Sequence, residues 1–312
     1  MIKYLNNKEI DKNKWDACIK DSFNGIVYAS SWYLDIVTED WETLVENDYE
    51  RVFPMIPGKK WGIEYLFQPV FTQQLGVFSK NLLTEDVVKR FINSIPGKFR
   101  FAEINLNTFN KVHSNKYKIF QWINHELDLI NSYDQIYKNY STNLKRNLKK
   151  AEKSGITITK NIKPDEIIRI FRENRGKQIK TLKDEDYLKL RRLSYTGIYK
   201  GLVETYGAFT KNNELCAGAI FFKSKNKMIF LFSGLTQEGK ATNAMAFLID
   251  TFIKEHSHHN LTLDFEGSND LNLARFYKSF GSKKCTYPHI KINNLPLFTK
   301  LTVQLIKWVR NK

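Results

Sequence analysis

Residues Leu261 to Gly281, LTLDFEGSNDLNLARFYKSFG, place two carboxylates, Asp264 and Glu266, at the end of an alternating apolar run. A carboxylate at the carboxyl end of a strand, where ligand clefts form, can take a proton from an attacking amine. Glu266 lies in the turn and is the better placed of the two; either can instead cap the helix that follows, the role expected first for Asp270. Tyr277, further along, stands between Phe276 and Phe280. It either packs with these rings or turns its phenol into a cleft.

The elements that must position these groups are a strand, a turn and a helix. Leu261, Leu263 and Phe265 alternate with Thr262 and Asp264, the period of a half-buried strand. Ser268, Asn269 and Asp270 are types whose side-chain oxygens accept from the first free N–H groups of a helix. The spacing predicts a helix from Leu271 to Ser279, stopped at Gly281.

The surrounding charge points to phosphate. Residues 1–135 hold 16 basic and 18 acidic residues, net −2, and residues 136–312 hold 33 and 15, net +18. A field confined to one half attracts phosphates on nucleic acid, a nucleotide-linked precursor, coenzyme A or a membrane surface. The densest run is NLKRNLKKAEKSG, where Lys145, Arg146, Lys149 and Lys150 surround a narrow stripe of Leu144, Leu148 and Ala151. A helix over 141–154 would pack by that stripe and offer the cations to phosphate or to solvent.

The chain has 312 residues, 42% of them hydrophobic, which suits two cored domains, expected at 1–135 and 136–312. Cys18, Cys216 and Cys285 have no CxxC spacing, so neither a disulfide framework nor a zinc site is indicated. HSHHN at His256, His258 and His259 reads as a helix end, with no acidic or cysteine partner in metal spacing. No signal-peptide core is expected, and no run reaches the roughly 18 apolar residues of a membrane span. A cytoplasmic protein is the expectation.

The first half reads as mixed α/β: a short start at Ile2 to Leu5, helices at Lys12 to Ile19 and from Ser30 or Ser31, and strands at Trp41 to Val45 and Arg51 to Ile56. A turn at Pro57-Gly58, a strand Trp61 to Phe67 and a helix capped by Thr84 follow, then strands Phe99 to Ile104 and Lys118 to Leu129. PVFTQQLGVFS, residues 69–79, sets Gln73 beside Gln74, and a weakly marked helix is expected around Asn107 to Ser114. In the second half the expected order is strand Ile156 to Ile162, helices Pro164 to Lys177 and Asp184 to Tyr199, and strands Leu202 to Thr210, Leu215 to Lys223 and Lys227 to Leu235. A helix Thr242 to His256, the strand and helix described first, a strand Lys284 to Ile292 and a helical tail Leu297 to Val309 complete it.

That order, β, α, α, β, β, β, α, β, α, β over 156–292, resembles the GCN5-related N-acetyltransferase (GNAT) fold. Two such units in tandem resemble the Fem-type transferases, FemX and FemAB among them, and the BioF2-like acetyltransferase domains. The resemblance implies a mixed α/β chain of two GNAT-like domains, the first on the acceptor side and the second, basic one catalytic. It implies an acyltransferase with no metal, using acyl-CoA or, as in the Fem type, aminoacyl-tRNA. The acceptor would be an amine, for the Fem type one on a peptidoglycan precursor or other cell-envelope component. A non-catalytic phosphate or nucleic-acid binder on the same fold is the alternative.

The resemblance also assigns residues. The strand before the third helix, Phe230 to Leu235, would expose backbone to the donor at Phe232 and Gly234, and the next turn would hold its phosphates through Gly239, Lys240 and Ala241. Thr236 stands where the GNAT turn carries a basic residue or glutamine. Tyr277, four before Gly281, matches the tyrosine that protonates a departing thiolate in GNAT enzymes. The Fem-type pattern Phe-Lys-x-Gly-Phe-Gly becomes Phe276-Tyr277-Lys278-Ser279-Phe280-Gly281, with the basic residue one place late at Lys278. Asn269 and Lys278 join the expected donor contacts.

Overall fold

A computed structural model describes residues 1–179 and 181–295; the helical tail expected at 297–309 lies outside them. The described residues form two compact units, one of residues 1–122 with residues 287–295, the other of residues 123–286. The break expected after Gln135 falls instead at two places, both inside strands.

The first unit contains β1 (Ile2–Leu5), α1 (Lys12–Asp21), α2 (Ser31–Val37), β2 (Glu42–Glu46), β3 (Arg51–Met55), β4 (Pro57–Lys60), β5 (Ile63–Leu66), β6 (Phe78–Ser79), α3 (Glu85–Asn93) and β7 (Phe99–Asn105). Strands β8 (Lys118–Asp128) and β14 (Lys283–Asn293) each run through both units. One sheet is β1-β2-β3-β6, antiparallel throughout. In the other, β5 pairs with β4 antiparallel and with β7 parallel, and β7 takes β14 on its far side. Thr84 accepts from the Val87 N–H to start α3, and Val88, Phe91 and Ile92 turn inward from it.

Two expectations for this unit are corrected. Pro57-Gly58 opens strand β4 rather than a turn: Pro57 is tolerated at the start of an edge strand, and the reversal comes at Trp61 and Gly62, with φ of 51° and 76°. Residues 107–114 form a loop and not a helix, because their side chains bond backbone elsewhere. Asn110 accepts from the Val77 N–H (2.6 Å) and donates to the Val77 carbonyl (3.0 Å), and Asn107 donates to the Leu75 carbonyl (3.1 Å).

The second unit follows the expected order: α4 (Tyr133–Lys138), α5 (Thr142–Lys153), β9 (Thr157–Lys160), α6 (Pro164–Glu173), α7 (Asp184–Tyr199), β10 (Val203–Phe209), β11 (Leu215–Ser224), β12 (Lys227–Leu235), α8 (Gln237–Ala241), α9 (Ala244–His256), β13 (Thr262–Asp264) and α10 (Leu271–Lys278). The helix expected from Thr242 starts two residues later, because Asn243 takes a left-handed φ of 59° and separates α8 from α9. Within this unit β9, β10, β11 and β12 pair antiparallel in turn, β12 pairs parallel with β13, and β13 antiparallel with β8. Helix α6 packs on one face, so closely that a Cβ at Gly234 would lie 2.5 Å from the Ile167 carbonyl oxygen. The other face carries the larger core, where Leu148 of α5, Phe252 of α9 and Phe280 close over Phe221 and Phe230. Each fully buried aromatic there contributes about 1.5–3 kcal/mol.

Candidate active site

Strand β12 pairs with β11 along its whole length but with β13 over three residues only, Lys227 to Ile229. From Phe230 on, the two parallel neighbours part. The register between β11 and β12 slips at the same place: Ile220 faces Phe232 and Phe221 faces Phe230, leaving Leu231 as an extra residue. The bulge breaks the side-chain alternation. Phe230 therefore joins the α9 core, whereas Phe232, two residues on, packs on Phe171 of α6 with centroids 4.6 Å apart. Beyond Ile229 the ladder between β12 and β13 does not continue.

The turn after β13 borders this opening. Glu266 and Gly267 both take left-handed φ values, 52° and 57°, and for the non-glycine Glu266 that costs about 1–2 kcal/mol. Local bonds hold the conformation: the Glu266 N–H donates to Asp264 Oδ1 (3.2 Å), Ser268 Oγ donates to the Glu266 carbonyl (3.0 Å), and Asn269 Oδ1 accepts from the Ile123 N–H (3.0 Å). A strained residue held by its surroundings is characteristic of functional turns. Asp270 caps α10, accepting from the Asn272 and Leu273 N–H groups, as expected.

Helix α10 brings Tyr277 against this turn. Its ring stacks on Phe265 (4.7 Å, 19°) and meets Phe230 edge-on at 6.3 Å. A Cβ on Gly267 would stand 4.0 Å from the Tyr277 hydroxyl oxygen, so the phenol reaches the turn. Burial, then the carboxylates of Glu266 and Asp270, push the phenol well above its ordinary pKa, with Arg175 opposing. The Tyr277 ring belongs to the core at 4% exposure, and its hydroxyl reaches the turn at Gly267.

Asp264 is placed differently from Glu266. Buried at 1% exposure, it accepts from Asn124 Nδ2 (2.7 Å) and from the Glu266 N–H, and stands 3.4 Å from Lys227 Nζ. Burial acts to lower the Lys227 ammonium, but Asp264 and Glu126 outweigh it and leave the pKa raised. Asp264 thereby braces β8, β12 and β13 and shapes the turn, while Glu266, in the turn, is a carboxylate whose charge acts on the Tyr277 phenol. Asn124, Glu126 and Lys227 were missed from the sequence; the available signal was the polar alternation Asn124, Glu126, Asp128 inside a strand otherwise headed for the core.

The residues expected to contact a donor are dispersed over several roles. Gly234 is required by the approach of α6, and Gly239 by β11, since a Cβ there would lie 2.2 Å from the Cys216 carbonyl oxygen. The Gly239 N–H donates to Thr236 Oγ1 at 3.0 Å. Lys240, Ala241 and Lys278 are exposed, and α9 begins without a side-chain cap from Asn243. On α5, Leu144, Leu148 and Ala151 are buried as the stripe predicted. Lys145 donates to the Lys138 carbonyl (3.1 Å) and sits over the Tyr137 ring, and Arg146 donates to Asn143 Oδ1 (2.7 Å). Lys149 and Lys150 are exposed. His256 stacks on Phe252 and lies 3.2 Å from Glu204.

No protein-family profile matches this sequence, and no curated protein matches it. Solved structures do match its fold. FemX aligns with a TM-score of 0.63 at 12% identity, over 95% of this chain and 99% of that one. A conserved protein of unknown function from Bacteroides thetaiotaomicron aligns at 0.61 and 10% identity, over 93% and 99%, and L-PGS from Bacillus licheniformis at 0.56 and 10%, over 95% and 96%. The chain has the mixed α/β, Fem-like and GNAT-like fold that its element order resembled. Among the described residues no helix is long and apolar enough to cross a membrane.

Proposed function

We propose that the chain is an acyltransferase whose second unit binds an activated acyl donor, acyl-CoA in the favoured reading, and transfers the acyl group to an amine acceptor. The observation that carries this is the parting of β12 from β13. An extended, amide-bearing ligand arm could enter where the two strands part, since such an arm can pair with a strand as another strand would. Helix α8, with the exposed Lys240, follows the end of β12, and the first turn of α9 comes after it without a side-chain cap; donor phosphates would meet positive charge and N–H groups along this segment.

In this reading Glu266 takes the proton that the amine loses as its nitrogen attacks the acyl carbonyl, and Tyr277 gives a proton to the departing thiolate. Raised well above neutrality, the phenol keeps its proton until a strong base is generated beside it. Asp264 positions the turn. The chemistry calls for no metal or redox cofactor.

Aminoacyl-tRNA as donor is the second reading. The exposed Lys149 and Lys150 on α5 favour it, as does an alignment that runs the length of FemX. A stability-shift panel of acyl-CoA thioesters, charged tRNA and UDP-linked muropeptides discriminates. A ligand at a hundred times its Kd stabilises by about 2.7 kcal/mol, and stabilisation by none of the three would remove the transferase reading. Tight, salt-dependent binding without acyl transfer to any amine would instead make the protein a phosphate binder.

A further inference from the structure

The first unit contains an imidazole whose tautomer is fixed by its neighbours. His289 of β14 lies opposite Asn105 of β7, and its Nδ1 is 2.8 Å from Asn105 Oδ1. The Asn105 amide is itself oriented, because its Nδ2 donates to the Gln73 carbonyl at 2.7 Å, and its backbone N–H donates to Gln68 Oε1 at 3.1 Å. An oxygen so placed can only accept, so the proton is on Nδ1 and Nε2 carries the lone pair. No described residue donates a hydrogen bond to Nε2. The ring is held upright by Trp122, stacked on it at 4.0 Å and 5°, with Phe120 at 6.0 Å and 48% exposed.

The charged groups acting on this ring are Glu103 and Lys291, which are paired with each other. Burial, helped by Lys291 and opposed by Glu103, holds the imidazole below its ordinary pKa, so it is neutral at pH 7. A neutral acceptor nitrogen beside aromatic rings suits an ammonium group, which donates a hydrogen bond and rests its charge against the rings.

We propose that His289, oriented by Asn105 and flanked by Trp122 and Phe120, is a binding site for a primary amine. The imidazole and the groups that orient it all belong to the first unit. The amine could come from an amino sugar or from a lysine-like side chain; both donate to Nε2 in the same way.

The full chain labelled with 15N-histidine tests this by NMR. At pH 7.5, His289 should show a bare Nε2 and a protonated Nδ1. Glucosamine, Nα-acetyl-lysine methylamide or both should shift the Nε2 signal, and their N-acetylated forms should not; which amine responds names the source. His289→Phe should weaken that binding at least tenfold, and Asn105→Asp, which keeps the ring in place, should raise the pH at which His289 titrates. The opposite tautomer, equal shifts from the acetylated compounds, or no shift from either amine would overturn the proposal. A failure of donor binding in the second unit would count against the transferase reading alone and leave these signals unchanged.

Discussion

The rings of Tyr277 and Phe265 lie face to face, 4.7 Å apart and 19° from parallel, so the helix that carries the phenol and the strand that ends at the turn are joined through one stacked pair. Tyr277→Phe keeps that stack and removes only the hydroxyl. Turnover should fall about 10²–10⁴-fold, with donor affinity and melting temperature nearly unchanged. Steady-state kinetics beside a thermal melt make the comparison, and undiminished turnover would assign Tyr277 to packing alone.

Glu266 should show function opposed to stability. Glu266→Gly releases a left-handed backbone that glycine adopts freely, and should stabilise the protein by about 1 kcal/mol. It should also remove the base and reduce turnover about a hundredfold or more. Denaturant unfolding and kinetics on the same preparation check both signs.

At Gly234 the prediction is steric. Gly234→Ala sets a methyl 2.5 Å from the Ile167 carbonyl oxygen and from Ile170 Cγ1. Since α6 must shift, a loss of about 1–3 kcal/mol is expected. An unchanged denaturation midpoint would show that the helix yields at no cost.

Salt dependence should divide the basic residues of α5. Lys145 and Arg146 already serve local acceptors, whereas Lys149 and Lys150 are exposed. Replacing all four by alanine should flatten the log Kd against log salt slope for tRNA by up to about 0.7 per lost phosphate contact. Most of the change should come from Lys149→Ala with Lys150→Ala; equal contributions from both pairs would contradict the local roles of the first two.

His256 and Glu204 predict a pH window. Burial works to lower the His256 pKa, but the Glu204 carboxylate and the Phe252 carbonyl raise it on balance; the His256 bond lowers Glu204. A raised histidine stabilises fully below its unfolded pKa, near 6.5, and loses this as pH rises through the folded value. A lowered glutamate stabilises above its unfolded pKa, about 4.3, and loses this as pH falls. His256→Gln should therefore lower the melting temperature most between about pH 4.5 and 6.5, with the gap narrowing above pH 8. A gap independent of pH would reduce the contact to packing.

The second unit was legible because its hydrophobic periods and its turns agree: the hairpins at Lys211 to Asn213 and Ser224 to Asn226, and the capping Asp270, each stand where the alternation stops. What failed was long-range. Nothing local shows that Asn107 and Asn110 will bond to backbone some thirty residues earlier, so a loop was read as a helix. Asp264 stood as a candidate base second to Glu266, and its bracing role was hidden because its partners Asn124 and Lys227 come from distant strands. The extra residue at Leu231 is invisible in Phe230-Leu231-Phe232, which reads as plain strand; only the facing strand shows the slip.

The two places where the chain changes unit, inside β8 and inside β14, make the second unit an insertion within the first. Cutting once between residues 135 and 136 would give a leading fragment without β14, the strand that closes the sheet on β7, and a trailing fragment without β8, the strand on which β13 is laid. Neither half can be dissected by a single truncation. A separable second unit must be excised at both crossings, and the first rejoined across the gap by a linker that restores its own missing edge.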